Sequence, residues 1–126
     1  MEGDCAWMAQ ERVPIQYLLG SCHWRDLVLA VGPGCLIPRP ETELMVDFAE
    51  EVLAAARREG GALAGAPWVD LGTGSGALAV ALGRMLRAGE EVRVWAVDTS
   101  PEAARWAALN VEREQLGGTV RVVLGS

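Results

Sequence analysis

The run from Asp70 to Gly76 constrains the fold of this chain more than any other feature. A short apolar segment, Trp68–Leu71, carries an acidic residue near its end, and glycine then occupies every second position, at 72, 74 and 76. Glycine has no Cβ, so the backbone can adopt left-handed angles and lie close to a bulky ligand. Apolar residues at helical spacing follow. The pattern predicts a strand, a tight turn and a helix that together bind a nucleotide-like cofactor.

The second half of the chain continues this alternation. The sequence predicts a helix over 76–87, a strand over Val92–Val97, a helix that Ser100 caps and Gly117-Gly118 ends, and a strand over Thr119–Leu124. A β-α-β-α-β order implies parallel strands joined by right-handed crossovers. The fold class is therefore α/β, with a partial Rossmann-like sheet of three parallel strands.

A β-hairpin and a helix are predicted ahead of this unit. Strand-forming residues at Leu27–Val31 follow a turn at Arg25-Asp26, and a helix begins near Pro40 and ends before Gly60. Its apolar residues suggest one buried stripe, made of Leu44, Phe48 and Val52 with Met45, Ala49 and Leu53 beside them.

Composition excludes several classes of function. The chain has 126 residues, enough for one ordinary domain, and 51% of them are hydrophobic. Its net charge is −6 and it contains no lysine, which argues against a broad nucleic-acid interface. Direct nucleic-acid binding is not expected, and the five tryptophans are scattered rather than grouped as a stacking platform.

The cysteines and the amino terminus also restrict which sites and which cellular location are expected. Cys5, Cys22 and Cys35 are widely spaced, and His23 is the one histidine, so we expect reduced thiols and no metal site. No apolar run reaches membrane-spanning length, and the acidic start resembles neither a secretory nor a transit signal. The expected location is cytoplasmic or organellar, in a mitochondrion or plastid, and not secreted.

Asp98 is the second acidic residue of the predicted cofactor site. It lies at the end of the second strand, 26 positions after Gly72. A carboxylate there can accept hydrogen bonds from both hydroxyls of a ribose, although it could also be an ordinary capping residue. Asp70, at the mouth of the turn, needs a cationic or hydrogen-bond-donating partner, which an amino-acid ammonium would provide.

Two cofactors fit the turn. Read as Gly72-x-Gly74-x-x-Ala77, it matches a dinucleotide-binding pattern. Read as Asp70-x-Gly72-x-Gly74-x-Gly76, it matches a pattern in which a carboxylate faces the charged groups of S-adenosylmethionine. The second interpretation is favoured, because a carboxylate close to a pyrophosphate would be repelled.

The chain resembles the HemK/PrmC family of peptide chain release factor glutamine methyltransferases. The resemblance depends on four segments, which are residues 13–20 (VPIQYLLG), 35–43 (CLIPRPETE), 70–76 (DLGTGSG) and 97–103 (VDTSPEA). The string Ile37-Pro38-Arg39-Pro40-Glu41-Thr42-Glu43 is the most specific, since neither the sheet nor cofactor binding in general requires it.

The resemblance implies a class I methyltransferase fold and methyl transfer from S-adenosylmethionine to the glutamine side-chain amide of a Gly-Gly-Gln loop in a release factor. It implies that residues 1–38 are a residual linker with a hairpin and that residues 39–126 are the N-terminal half of the cofactor-binding domain. The expected cofactor-binding residues are Asp70, Gly72, Thr73, Gly74, Ser75, Gly76 and Asp98, with Arg39 and Thr42 as further candidates.

The sequence also departs from the family. The Asn-Pro-Pro-Tyr motif that would orient the amide is absent, so no catalytic residue is assigned, and a truncated enzyme is expected. Family members have about seven strands, so the first strand should here be an exposed sheet edge through which the chain could self-associate. The alternatives are a non-catalytic remnant that binds cofactor or a partner, and the NAD-binding module of an oxidoreductase.

Overall fold

The computed structural model describes residues 15–62, 65–87 and 91–125. It contains the helices α1 (Ile15–Leu19), α2 (Glu43–Glu59), α3 (Ala77–Leu86) and α4 (Pro101–Arg113), and a 3-10 turn at Pro40–Thr42. The strands are β1 (Ser21–Trp24), β2 (Leu27–Ala30), β3 (Trp68–Leu71), β4 (Val94–Asp98) and β5 (Val120–Leu124). The expected α/β class is therefore confirmed.

The strands form two sheets. β1 and β2 pair antiparallel as the predicted hairpin, and β3, β4 and β5 form a parallel sheet in that order. Asp70 is level with Ala96 in β4, and Asp98 is level with Leu124 in β5. Within the described residues, β3 and β5 are the two edge strands of this sheet, and the edge position of β3 was expected.

The helices cover one face of the parallel sheet. Right-handed crossovers that always step in the same direction place every connecting helix on the same side. Asp70, Val94, Ala96 and Val120 point toward α3 and α4 and are buried. On the opposite face Val69 and Leu71 are 57% and 75% exposed. Arg121 lies over the Trp95 ring there, 5.6 Å from its centroid.

The segment after the hairpin is held against α4. A Cβ on Gly32 would lie 2.4 Å from the Trp106 ring, and one on Gly34 would lie 2.5 Å from the Glu102 Cβ. Glycine at these positions lets the backbone approach the helix. The indole N–H of Trp106 donates to the Pro33 carbonyl at 3.1 Å, which fixes the segment in place.

The predicted apolar stripe of α2 is wrong in part. The buried residues are Val46, Ala49, Leu53 and Ala56, whereas Leu44, Met45 and Phe48 are more than half exposed. The helix carries two overlapping apolar faces, and only the one that meets α3 and the hairpin is covered. Sequence periodicity alone does not show which of two such faces meets a neighbour.

The last helix also ends earlier than expected. Gly117-Gly118 was expected to end it, but α4 ends at Arg113, and Gln115 takes a left-handed conformation with φ of 57°. Asn110, inside this helix, is buried rather than exposed.

Within the described ranges, no helix combines the length and apolar character needed to cross a membrane. Cys22 and Cys35 are buried free thiols, and burial raises the pKa of the Cys35 thiol to about 11. Residues 1–14, which contain Trp7, Cys5 and the start of the first family-like segment, lie outside the described residues.

The two faces of α2 give a direct test of the packing. Leu53→Ala should lower the free energy of unfolding by about 2–5 kcal/mol, because Leu53 is 3% exposed and truncation leaves a cavity. Phe48→Ser should change it by less than about 0.5 kcal/mol, because Phe48 is 60% exposed. Urea unfolding curves measure both. A larger loss for Phe48→Ser than for Leu53→Ala would contradict this packing.

Candidate cofactor site

The site is built around the glycine turn between β3 and α3. Gly74 and Gly76 have φ angles of 57° and 85°, a region that residues with a Cβ rarely adopt. A Cβ on Gly76 would also lie 3.1 Å from the Ala107 Cα, so glycine allows α4 to pack directly on the turn. Both conformation and packing therefore require glycine at position 76.

The end of β4 anchors the first part of the turn. The backbone N–H groups of Gly72 and Thr73 both donate to the Val97 carbonyl, at 2.8 and 2.9 Å. The Gly76 N–H then donates to the Thr73 carbonyl at 2.8 Å, which closes the turn before α3 begins. These bonds hold the backbone in one shape before any ligand arrives.

Asp98 joins the turn to the next loop. One carboxylate oxygen accepts the Gly74 N–H at 2.9 Å, and the other accepts the Ser100 N–H at 3.0 Å. A carboxylate has about four lone-pair sites, so capacity for further donors remains on both oxygens. The capping role and the ribose role of Asp98 are therefore compatible.

Asp70 is a buried carboxylate at the end of β3. It is 8% exposed and accepts a hydrogen bond from the Thr73 hydroxyl at 2.8 Å. Burial raises its pKa, while the hydrogen bonds from Thr73 and from the Ala79 backbone oppose that rise. Among the residues that the structure describes, no arginine or histidine forms an ion pair with Asp70. Arg39 lines the cavity beside the glycine turn, but the ion pairs among the described residues do not include Asp70.

A cavity of about 180 Å³ opens beside the turn. Arg39 and Thr42 line it together with Asp70, and the Leu36 carbonyl lies 3.7 Å from the position a Gly74 Cβ would take. The complete lining is Leu36, Ile37, Pro38, Arg39, Thr42, Asp70, Gly72, Thr73, Gly74, Ser75, Ala77 and Leu78. Enclosed ligand sites usually measure about 300–1,000 Å³, so these residues form part of a site rather than a whole one.

Most of the residues predicted from the sequence meet at this cavity. Gly76 and Asp98 lie just outside the lining, Gly76 under α4 and Asp98 behind Gly74. Sequence reasoning missed Leu36 and Leu78 as wall residues, and it missed Asn110, whose side chain binds the turn from α4. The one sequence feature that could have indicated a role for Asn110 is that it is a polar residue on the otherwise apolar side of α4.

The described residues outside this cavity do not form a metal-binding group. Within the described ranges there is no group of three His, Cys, Asp or Glu side chains able to hold a metal ion. The Trp24 indole donates to the Arg39 carbonyl at 3.1 Å, so Arg39 also ties the hairpin to the cavity wall through its backbone.

The parallel sheet, the helices on one of its faces and the glycine turn define a Rossmann-like fold. The N-terminal domain of human METTL16, solved in complex with SAH, is similar to this chain with a TM-score of 0.55 and 20% identity. The similarity covers 77% of this chain and 36% of that one, and it supports the fold alone. No family model matches the sequence.

Curated relatives identify the family. The chain is 48% identical over 117 residues to a release factor glutamine methyltransferase of Gloeobacter violaceus, and 44% identical over 117 residues to one of Thermosynechococcus vestitus. Each match covers 93% of this chain and 37% of the relative. A Corynebacterium glutamicum relative of the same name is 42% identical over 101 residues, which are 80% of this chain and 33% of the relative.

The chain belongs to the release factor glutamine methyltransferase family, as its sequence motifs indicated, and it spans about a third of the length of the curated relatives it matches.

The raised pKa of Asp70 predicts a pH-dependent cost of folding. The folded state holds this proton more tightly than the unfolded chain does, so unfolding releases a proton at pH values between the unfolded pKa, about 4, and the raised folded pKa. The stability that the neutral acid allows is then lost as pH rises through the raised pKa. Asp70→Asn stays neutral, so its stability relative to the unmodified chain should increase from about pH 3 to about pH 7.

Urea unfolding of the unliganded chain at several pH values measures that difference. Glu112→Gln, which removes one exposed carboxylate from α4, serves as the control for net charge. A difference between Asp70→Asn and the unmodified chain that does not vary with pH would contradict the burial of a costly charge at Asp70.

Proposed function

We propose that this chain forms the S-adenosylmethionine-binding part of a release factor glutamine methyltransferase. The proposal is supported by two acidic residues that lie on either side of the hydrogen-bonded glycine turn. Asp70 lies at its entrance, and Asp98 binds the Gly74 N–H at 2.9 Å. S-adenosylmethionine has a cationic amino-acid end and a ribose diol, which are the groups that such a pair of carboxylates can bind.

The position of Asp70 at the turn favours this cofactor over NAD. Two like unit charges 4 Å apart repel by about 4 kcal/mol at the dielectric of a partly buried site, so a pyrophosphate beside an ionised Asp70 would be destabilised. An ammonium or sulfonium there is attracted instead. An ammonium would also supply the cation that Asp70 lacks among the described residues.

The opposite wall supports the same assignment. Segment 36–42 lies across the turn from Asp70, with the Leu36 carbonyl close to Gly74 and Thr42 at the cavity. This segment contains six of the seven residues of the string 37–43, which is the most specific part of the family resemblance. We infer that residues 39–126 are the N-terminal half of the cofactor-binding domain, preceded by a linker and hairpin over 1–38.

The activity proposed for the whole protein is methylation of a glutamine side-chain amide in a Gly-Gly-Gln loop of a release factor. Curated relatives are named release factor glutamine methyltransferases, and the amide and the Gly-Gly-Gln loop follow from the family resemblance. The proposed location is that of the release-factor substrate, which is the cytoplasm, a mitochondrion or a plastid. An amide nitrogen is a poor nucleophile, so its placement in line with the methyl group supplies much of the catalysis.

Calorimetry distinguishes the two cofactors. The chain should bind S-adenosylhomocysteine more tightly than NAD, because Asp70 attracts the amino-acid ammonium and repels a pyrophosphate. The affinity should be modest, since the described residues provide a cavity of only about 180 Å³. Tighter binding of NAD would replace the methyltransferase assignment with the oxidoreductase alternative.

Asp98 provides a matched variant in the same titration. Asp98→Ala should weaken S-adenosylhomocysteine binding by about 1.5–3 kcal/mol, because the ribose loses a charged acceptor and Gly74 loses its anchor. Glu112→Gln, which also removes one carboxylate, should leave binding unchanged. Equal affinities for Asp98→Ala and Glu112→Gln would show that Asp98 serves the loop alone.

Methyl transfer should be undetectable with the 126-residue chain. It contains no Asn-Pro-Pro-Tyr motif, and misplacement by about 1 Å can reduce a rate about a hundredfold. Radiolabelled methyl transfer to a release factor with a Gly-Gly-Gln loop measures this directly, with a full-length relative as the positive control. Transfer by the purified chain at the relative's rate would require an amide-binding site among Arg39, Glu41 and Thr42.

We also propose that the chain self-associates through its parallel sheet. β3 has an open edge, and the neighbouring face exposes Val69 and Leu71. Sedimentation should show concentration-dependent association, which Val69→Lys should reduce because a charge on an edge strand disfavours pairing. Val28→Lys, at a 42% exposed site on the hairpin, is the control. A chain that is monomeric at all concentrations would contradict this proposal.

A further inference from the structure

Asn110 is a fully buried amide that the assigned site does not use. It lies in α4, is 1% exposed, and makes hydrogen bonds with residues 80 and 35 positions away in the sequence. Its Oδ1 accepts the Ala30 N–H at 2.7 Å, and its Nδ2 donates to the Ala30 carbonyl at 2.9 Å and to the Ser75 carbonyl at 2.8 Å. Both amide hydrogens are therefore used.

One partner, Ser75, lies in a wall of the cavity, and the other, Ala30, precedes the segment that forms the opposite wall. Ser75 is in the glycine turn, and its peptide group is held at both ends, since the following Gly76 N–H donates to the Thr73 carbonyl at 2.8 Å. Ala30 ends β2, the strand that leads into the segment carrying Leu36 and the residues of the other wall.

The backbone between Ala30 and that wall has little freedom to move independently. Val31 donates to the Gly20 carbonyl at 3.2 Å, and Cys35 donates to the Gly32 carbonyl at 3.1 Å. Gly32 and Gly34 rest on α4, the helix that also carries Asn110. A shift of Ala30 relative to Ser75 would therefore change the distance between the walls.

We propose that Asn110 is a positioning residue that sets the spacing between the glycine turn and the hairpin, and through it the shape of the cofactor cavity. This proposal rests on the proposed function where it concerns cofactor affinity. Independently of the cofactor, we expect Asn110 to restrain the glycine turn in the unliganded protein. Preorganised walls spare a ligand the cost of ordering them, so loss of the link should weaken binding even where folding survives.

The test compares Asn110→Ala with Val111→Ala in the 126-residue chain. Val111 is the next residue of α4 and is 4% exposed in the core, so its truncation destabilises the fold without removing a contact to Ser75 or Ala30. In Asn110→Ala, the dissociation constant of S-adenosylhomocysteine should rise about tenfold. This change corresponds to the contribution of about one hydrogen bond to the order of the unliganded cavity. In Val111→Ala it should stay within about twofold.

Amide hydrogen exchange of the unliganded proteins gives a readout that needs no cofactor. Asn110→Ala should speed exchange at Gly74 and Gly76 more than at Ala96 in β4, whereas Val111→Ala should change the three amides alike. Should Asn110→Ala fail to fold, Asn110→Ser replaces it, because a single hydroxyl can donate to only one of the two carbonyls.

The outcomes separate the two claims. Failure of the unmodified chain to bind S-adenosylhomocysteine would overturn the proposed function, and the exchange data would still decide the role of Asn110. Exchange at Gly74 and Gly76 in the Asn110 variant that matches Val111→Ala would overturn the positioning role. So would equal cofactor affinity of the two variants in a chain that binds the cofactor.

Discussion

The attachment of the glycine turn to the end of β4 is the interaction on which the rest of the site depends. The Val97 carbonyl accepts two N–H groups of the turn, and the Asp98 carboxylate accepts a third. Backbone with left-handed glycines has many accessible conformations when unfolded, and these bonds select one of them. Once the turn is fixed, α3 begins in a defined direction, Asp70 faces the cavity, and α4 can pack directly on Gly76.

The same topology explains what the chain leaves uncovered. Strand order β3-β4-β5 adds each strand on the same side, so right-handed crossovers place α3 and α4 on one face and leave Val69 and Leu71 exposed on the other. A doubly wound sheet covers its second face only after the strand order reverses. The chain spans about a third of the length of its curated relatives.

The sequence predicted the parallel sheet, the hairpin and most of the cavity, because each depends on local rules. Gly72, Gly74 and Gly76 are needed where the chain turns, and Ser100 caps α4 through its bond to Ala103 as its position before Pro101 suggested. The buried face of α2 was predicted only in part, since Phe48 and Leu53 are both strongly apolar and only the tertiary neighbours decide which of them is buried. Asn110 was missed for a related reason, because its three partners are distant in sequence and no local pattern joins them.

An NMR titration of the 126-residue chain with S-adenosylhomocysteine tests the central claim most directly, since it locates the ligand residue by residue. We predict that the largest amide shift changes fall in three segments at or beside the cavity, Leu36–Thr42, Asp70–Ser75 and Asp98–Ser100. Changes concentrated instead on the surface hollow formed by Pro33, Arg105 and Trp106, or on the exposed sheet face around Trp95, would contradict it.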